Sequence, residues 1–299
     1  MSFPWLTVIA AVPLAGAVAV ALLPSGRSLL AKQVALGVSL VPLVLTIVMS
    51  LKFDSGSAAA FQFTENHDWI PQFGVSYALG VDGIGLVLIA LTTVLTPVCL
   101  LASWHDAEEG RRSAKAYFAL MLLLEAAMIG VFAATDVFLF YVLFEAMLIP
   151  MYFIIGAYGG AQRSYAAVKF LLYSLFGGLL MLAAVIGLFV VSKGGDHAFL
   201  LQNLVGTHFS PSTERLLFLG FFAAFAIKAP LWPLHTWLPD AAAARCRPGR
   251  AAGRRRTRTR GRRPGRGQPR ARSARARCRR HRRSTARRRS RSSRASART

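Results

Sequence analysis

FAIKAPLWPLHTWLPDA, residues 225–241, lies within the last apolar stretch of the chain (216–243), and the rest of the sequence is read outward from it. Lys228 sits about twelve residues into that stretch. At ~1.5 Å per residue this is roughly 18 Å from its start, near the middle of a bilayer. A lysine at that depth costs on the order of 2.5–3.5 kcal/mol and needs a partner or a water-filled cavity. Pro230 and Pro233 have no N–H to donate to the carbonyls of Ala226 and Ala229, so the helix breaks where the charge is. Unwound backbone at membrane depth survives only inside protein or beside a cavity. The stretch reads as a broken, charged span that handles ions.

Six further apolar segments precede it, giving spans at roughly 3–24, 31–51, 81–104, 116–134, 137–158, 166–191 and 216–243. Each is close to the ~20 residues a helix needs to cross hydrocarbon. Strands fit poorly, because the runs are long and apolar on every face. The expected fold is all-α, a polytopic transmembrane helical bundle over residues 1–243.

The net charge of +23 suggests nucleic acid or an anionic surface until the chain is divided. Residues 1–244 carry 11 Lys and Arg against 13 Asp and Glu, a net charge of −2. The other 25 basic residues are all arginines beyond residue 244. Cys99, Cys246 and Cys278 are too scattered for an iron–sulfur, zinc or haem site, so no metal and no cofactor is expected in this chain. The first residues, MSFPWLTVIA, lack a basic n-region and read as a retained first span.

Basic residues fall in alternate loops: Arg27 and Lys32, then Arg111, Arg112 and Lys115, then Arg163 and Lys169. The opposite loop, 53–80, has Asp54, Glu65 and Asp68 and no basic residue. By the positive-inside rule the N-terminus is outside and the seventh span runs inward. Asp82, Gly83 and Gly85 open the third span; the third glycine of a dinucleotide fingerprint is missing, so they read as a close-packed helix entry. Thr92, Thr93 and Thr96 either bond back to their own helix or offer hydroxyls to water.

The candidate site residues are the ionisable groups inside spans. Glu145 shares a helical face with Tyr141, Leu148 and Tyr152, and Pro150 frees the carbonyl of Ala146 beside it. Glu145 and Lys228 are deep and opposite in sign, which suits proton relay: burial favours a neutral amine and a nearby carboxylate favours the ammonium. The plainer alternative is a structural ion pair. Glu125, Lys169 and His235 are secondary candidates. Glu125 reads equally as a protonated carboxyl joining helices, Lys169 as a side chain snorkelling to the interface, and His235 as an interfacial residue satisfied by backbone. Trp232 and Trp237 read as an aromatic belt.

Taken together, GVDGIGLVLIALTTVLTPVCLLASW, FEAMLIPMYFIIGAYGG and FAIKAPLWPLHTWLPDA resemble the antiporter-like membrane subunits of proton-pumping NADH–quinone oxidoreductase, respiratory complex I. The HTWLPDA form and the GVDGI opening favour the M type over the related L and N types. The resemblance covers about residues 1–243. It implies the N-terminal half of a fourteen-helix fold with two inverted five-helix repeats, in a bacterial inner membrane. It also implies other membrane subunits of the complex as partners, lipid around them, protons as the transported species, and neither NADH nor an iron–sulfur cluster in this chain. The family's glutamate of span five falls on Glu145, its lysine of the broken seventh helix on Lys228, and its span-four glutamate on Glu125. Multisubunit cation/proton antiporters and membrane-bound hydrogenases share the fold and stand as the alternative.

The family pattern continues into an eighth span with a second lysine, but here residues 245–299 contain no Leu, Ile, Val, Phe, Met, Tyr or Trp. Such text neither spans a membrane nor builds a core and is expected to be disordered. Its Arg-, Ala-, Pro- and Gly-rich composition is that of a GC-rich gene read out of frame, in which case the chain is half a channel and does not pump alone. A basic tail that binds anionic lipid or nucleic acid is the rival; no nucleic acid is expected, because no aromatic residue is present to stack on bases. Reading the same DNA in its other two frames beyond codon 244 should recover apolar runs of ~20 residues, the first with an intramembrane lysine. If both frames lack them, the frame-change reading fails.

Overall fold

The computed structural model describes residues 3–24, 27–54, 56, 59–104, 113–159, 162–192, 198–207 and 209–243. By its contacts the chain forms two units, Met1–Gly249 and Arg250–Thr299, and every described residue belongs to the first. The arginine-rich tail expected from residue 244 onward lies outside the described residues.

Long apolar runs become helices because only a helix satisfies every backbone group within its own segment. These are α1 (Trp5–Leu22), α2 (Ser28–Lys52), α3 (Gly83–Ala102), α4 (Ala114–Ala133), α5 (Val137–Ala146), α6 (Leu148–Tyr158), α7 (Arg163–Val191), the single turn α8 (Leu201–Leu204), α9 (Pro211–Lys228) and α10 (Trp237–Ala243). Among the described residues, six helical stretches are long and apolar enough to cross a membrane, α5 and α6 counting together as Val137–Tyr158. The seventh expected span, 216–243, is not a continuous helix. It is α9, an irregular stretch with a 3-10 turn at Leu234–Thr236, and α10.

The helical fold expected from the sequence is the one observed, with one added element. The acidic loop between α2 and α3 contains an antiparallel hairpin, β1 (Gln62–Ile70) and β2 (Val75–Val81). Its register pairs Glu65 with Leu79, His67 with Tyr77 and Ile70 with Val75. Pro71–Phe73 makes the turn, and Gly74 closes it at φ 64, a left-handed conformation that glycine adopts without a Cβ clash. The strands form because β2 is buried almost throughout while β1 faces outward.

This hairpin ties two helix starts together. Glu65 accepts N–H bonds from Leu6 at 2.8 Å and Thr7 at 3.3 Å, and also the Thr7 hydroxyl. A carboxylate thereby serves the unpaired donors of α1, whose own N-cap, Pro4, supplies none. At the other helix, buried Asp136 caps α5 by accepting from Phe138 N and Leu139 N, both at 2.9 Å. Its second oxygen accepts from Ser76 N of β2 at 3.0 Å. Leu6, Ile9, Leu79, Val81, Ile89 and Ile129 fill the space between hairpin and helices.

At the opposite end of the bundle, Lys32 is 1 % exposed and donates to the carbonyl of Trp104 at 2.5 Å. Its ammonium lies 5.4 Å from that residue's ring. Lys32 was read as a loop charge; it is a buried tie between α2 and the end of α3.

Replacing Asp136 by alanine leaves three buried N–H groups without this acceptor and removes an N-cap. The expected cost is roughly 2–3 kcal/mol, with Asp136→Asn costing less because one acceptor oxygen remains. Thermal unfolding of the purified protein measures both, and equal stability of Asp136→Ala and the parent would refute the capping role.

Candidate functional site

The site is organised by two helices that stop inside the bundle. Pro150 cannot donate to the carbonyl of Ala146, and α5 ends at that residue, with Met147 as the joint to α6. Glu145 is therefore the penultimate residue of α5. Its carboxylate lies against α7 at Gly178, where the Cβ of any other residue would overlap both carboxylate oxygens. Glu145 Oε1 is buried and has no hydrogen-bond partner in the protein.

The second broken helix is α9, which ends on Lys228. With Pro230 unable to donate, the carbonyl of Ala226 accepts instead from Leu231 N at 2.9 Å. The carbonyl of Ile227 takes the indole N–H of Trp237, also at 2.9 Å. Trp237 is 7 % exposed, so it is a core residue that mends the break and not part of an aromatic belt. Trp232, 85 % exposed, fits the belt reading.

Aromatic rings fill the gap between α5 and α9. Phe140 and Phe144 stack at 5.6 Å, and Phe225 approaches both edge-on at 6.1 and 5.9 Å. The ammonium of Lys228 lies 4.6 Å from the centre of the Phe144 ring, a cation–π seat. Lys228 thus sits beside Glu145, the next residue after Phe144, and among the described residues the two do not form an ion pair at contact distance. The structural ion-pair reading therefore does not describe this arrangement.

The other sequence candidates are placed as follows. Lys169 does not snorkel free. It donates to Asp240 Oδ2 at 2.7 Å and to the carbonyl of Thr236 at 2.8 Å, tying α7 to the broken segment. The Thr236 hydroxyl adds a bond to Tyr173 OH at 2.9 Å. Glu125, on α4, is 1 % exposed, and neither oxygen has a protein partner, so it is not joining helices by a hydrogen bond. His235 is half-buried in the 3-10 turn, and its Nδ1 is likewise buried without a partner. Thr92, Thr93 and Thr96 return their hydroxyls to Leu88, Ala90 and Thr92 carbonyls of their own helix.

Sequence reasoning missed Gly178, Asp136 and Asp240. Gly177 and Gly178 form a visible glycine pair mid-span, but only the fold reveals that one of them faces a carboxylate. Gly177 faces Ile227 and Ala224 of α9, with Ile227 Cδ1 3.1 Å from where its Cβ would be. Thus α7 packs on both charge-bearing helices through adjacent glycines.

With this geometry in view, two family models match. One described as "NADH-ubiquinone oxidoreductase chain 4, amino terminus" covers residues 31–131, and one described as "NADH:quinone oxidoreductase/Mrp antiporter, TM" covers residues 134–250. The chain is 51 % identical to NADH-quinone oxidoreductase subunit M of Mycobacterium tuberculosis, over 80 % of this chain and 49 % of that protein. The chain belongs to the subunit M (chain 4) family of NADH-quinone oxidoreductase. Within that family, subunit M of Rhodobacter capsulatus is 42 % identical over 79 % of this chain and 47 % of its own length. Among solved structures, respiratory complex I from Thermus thermophilus aligns with a TM-score of 0.68 at 31 % identity, over 79 % of this chain and 46 % of the other. The Mrp complex from Dietzia shares the fold, with a TM-score of 0.67 at 22 % identity over 80 % of this chain and 25 % of that chain. The chain spans about half the length of the curated relatives it matches.

The glycine seat gives a test in which one kind of substitution has unequal effects at two positions. Gly178→Ala forces the flexible Glu145 carboxylate off its seat and should forfeit the stabilisation that alanine otherwise adds in a helix, about 0.5–1 kcal/mol. Gly37→Ala, in the exposed face of α2 with open space around it, should stabilise by about 0.5–1 kcal/mol. Thermal unfolding of both variants decides; similar effects at the two positions would mean that Gly178 is not a seat.

Proposed function

We propose that this chain serves in the membrane part of NADH-quinone oxidoreductase, where Glu145 and Lys228 relay protons while the redox chemistry runs in other subunits. The observation that carries this reading is the placement of the pair: opposite charges near the ends of α5 and α9, with Lys228 seated on the Phe144 ring beside Glu145 and not locked in an ion pair. A contact ion pair in an apolar interior holds both charges in place. A separated pair responds when either partner changes charge. Protonation of Glu145 removes the attraction that helps keep a proton on Lys228, which then passes it to the next acceptor as one N–H bond breaks and one O–H bond forms. Transfer of the Glu145 proton to the neutral Lys228 then regenerates carboxylate and ammonium, so that over the cycle one proton has entered at Glu145 and one has left from Lys228.

Glu125 and His235 are proposed as further stations, because each keeps a buried atom without a protein partner. Lys169, occupied by Asp240, is proposed to steady the broken segment and not to carry protons itself. The basic loops support an N-terminus outside and a multi-pass position in the bacterial inner membrane, with other membrane subunits of the complex as neighbours. Identity of 51 % to a subunit M, against 22 % to the Mrp complex, favours the quinone-linked branch over a cation antiporter.

In the assembled complex, Glu145→Gln and Lys228→Met should each lower proton translocation by roughly 10²-fold, the scale of a lost proton-transfer group. Acidification of inverted vesicles, followed with NADH oxidation and with subunit content, measures the effect. Normal assembly with unchanged translocation in both variants would overturn the proposal.

A further inference from the structure

Helix α7 carries a third polar group on the face that receives Glu145. Ser174 is 1 % exposed, and its hydroxyl has no hydrogen-bond partner in the protein. Other hydroxyls within helices behave differently: Ser39, Ser50, Thr92 and Thr96 all donate to a carbonyl one turn back. That bond is available to any serine in a helix and normally disposes of its hydrogen. A buried hydroxyl left without a partner costs the full desolvation of the group, so the site favours a small polar occupant.

The position of Ser174 identifies what that occupant touches on its other side. Gly178 is one turn further along α7, and its missing side chain is where the Glu145 carboxylate lies. Residues four apart on a helix stand about 5–6 Å from one another on the same face. Two O–H···O bonds of about 2.7–2.8 Å that meet at the bend of a water molecule, roughly 105°, span about 4.4 Å, within reach of side chains one turn apart. Glu145 Oε1 is itself buried and unpaired. Two buried polar atoms without protein partners thus lie about one helical turn apart along one face of α7, and each offers a bridging water one of the two to four partners it needs.

We propose that Ser174 and Glu145 Oε1 hold an ordered water between them, and that Ser174 is a positioning residue through which protons enter or leave Glu145. The proposal rests on the proton-relay reading of Glu145. The water donates one hydrogen to the carboxylate and accepts one from the serine hydroxyl. When the carboxylate is protonated the direction reverses: the carboxyl O–H donates to the water, and the serine oxygen accepts from it. A hydroxyl that can both donate and accept serves either direction, whereas alanine serves neither.

The test uses the assembled complex containing this chain. A density map that resolves waters should show a peak within hydrogen-bond distance of both Ser174 Oγ and Glu145 Oε1. Ser174→Ala should slow proton translocation about three- to tenfold, the rate equivalent of one lost hydrogen bond. Ser174→Thr, which keeps the hydroxyl, should recover most of that loss, a rescue that a purely packing role does not give. Absence of the water in the parent complex overturns the inference, and this readout stands even if Ser174→Ala fails to assemble. Unchanged translocation in Ser174→Ala while Glu145→Gln is impaired overturns the inference and leaves the relay reading intact. No effect in either variant removes the relay reading itself.

Discussion

The architecture turns on a missing hydrogen-bond donor. Each proline withdraws one N–H from the helical ladder, and a buried carbonyl without a partner is expensive in a medium that has no water to offer. At the end of α9 the deficit is met twice over, by Leu231 N on the carbonyl of Ala226 and by the Trp237 indole on that of Ile227. Those repairs turn Trp237 into the bundle while Leu231 and Trp232 stay exposed. They also bring Asp240 and Thr236 to Lys169. The break is thus a folded element in its own right, with a tryptophan and an ion pair holding it where a continuous helix would have passed straight through.

A second economy governs the face of α7. Adjacent glycines let one helix receive a carboxylate from α5 on one side and the aliphatic surface of α9 on the other. Any larger residue at 178 would claim the volume the carboxylate occupies. The cost of two mid-span glycines in helix propensity, up to about 1 kcal/mol each, is accepted in exchange for that proximity. The same face then leaves Ser174 and Glu145 Oε1 without partners.

Much of this was legible in the residues. Long apolar runs gave the spans, and the prolines at 230 and 233 placed the break in the last one; Pro150 signalled a freed carbonyl at Ala146 but not that α5 ends there. Depth and sign singled out Glu145 and Lys228. What could not be read were contacts between segments distant in sequence. Glu65 looked like one more acidic loop residue, yet it serves the amides of α1. Asp136, at the entry to a span, carries no signal of its own in the sequence, and it is a buried cap shared between α5 and the hairpin. Trp237 read as belt, because composition cannot distinguish an indole facing lipid from one turned inward to a freed carbonyl. The hairpin was overlooked since a loop between spans was weighed for charge alone. Periodicity reports which face is apolar; it does not report what that face meets.

Asp136 fixes one end of α5 to the hairpin from two directions, and Met147 interrupts the backbone at the other. Mechanically, α5 is a short lever with a pivot at Asp136. Glu145 rides nine residues out from that pivot, about 13 Å at ~1.5 Å per residue. A tilt of about 10° carries its carboxylate roughly 2 Å, the difference between a hydrogen bond and none. On so short an arm, the root fixed at Asp136 is what keeps the carboxylate on the Gly178 seat, because an angular error of that size at the root would be a whole hydrogen bond at the tip.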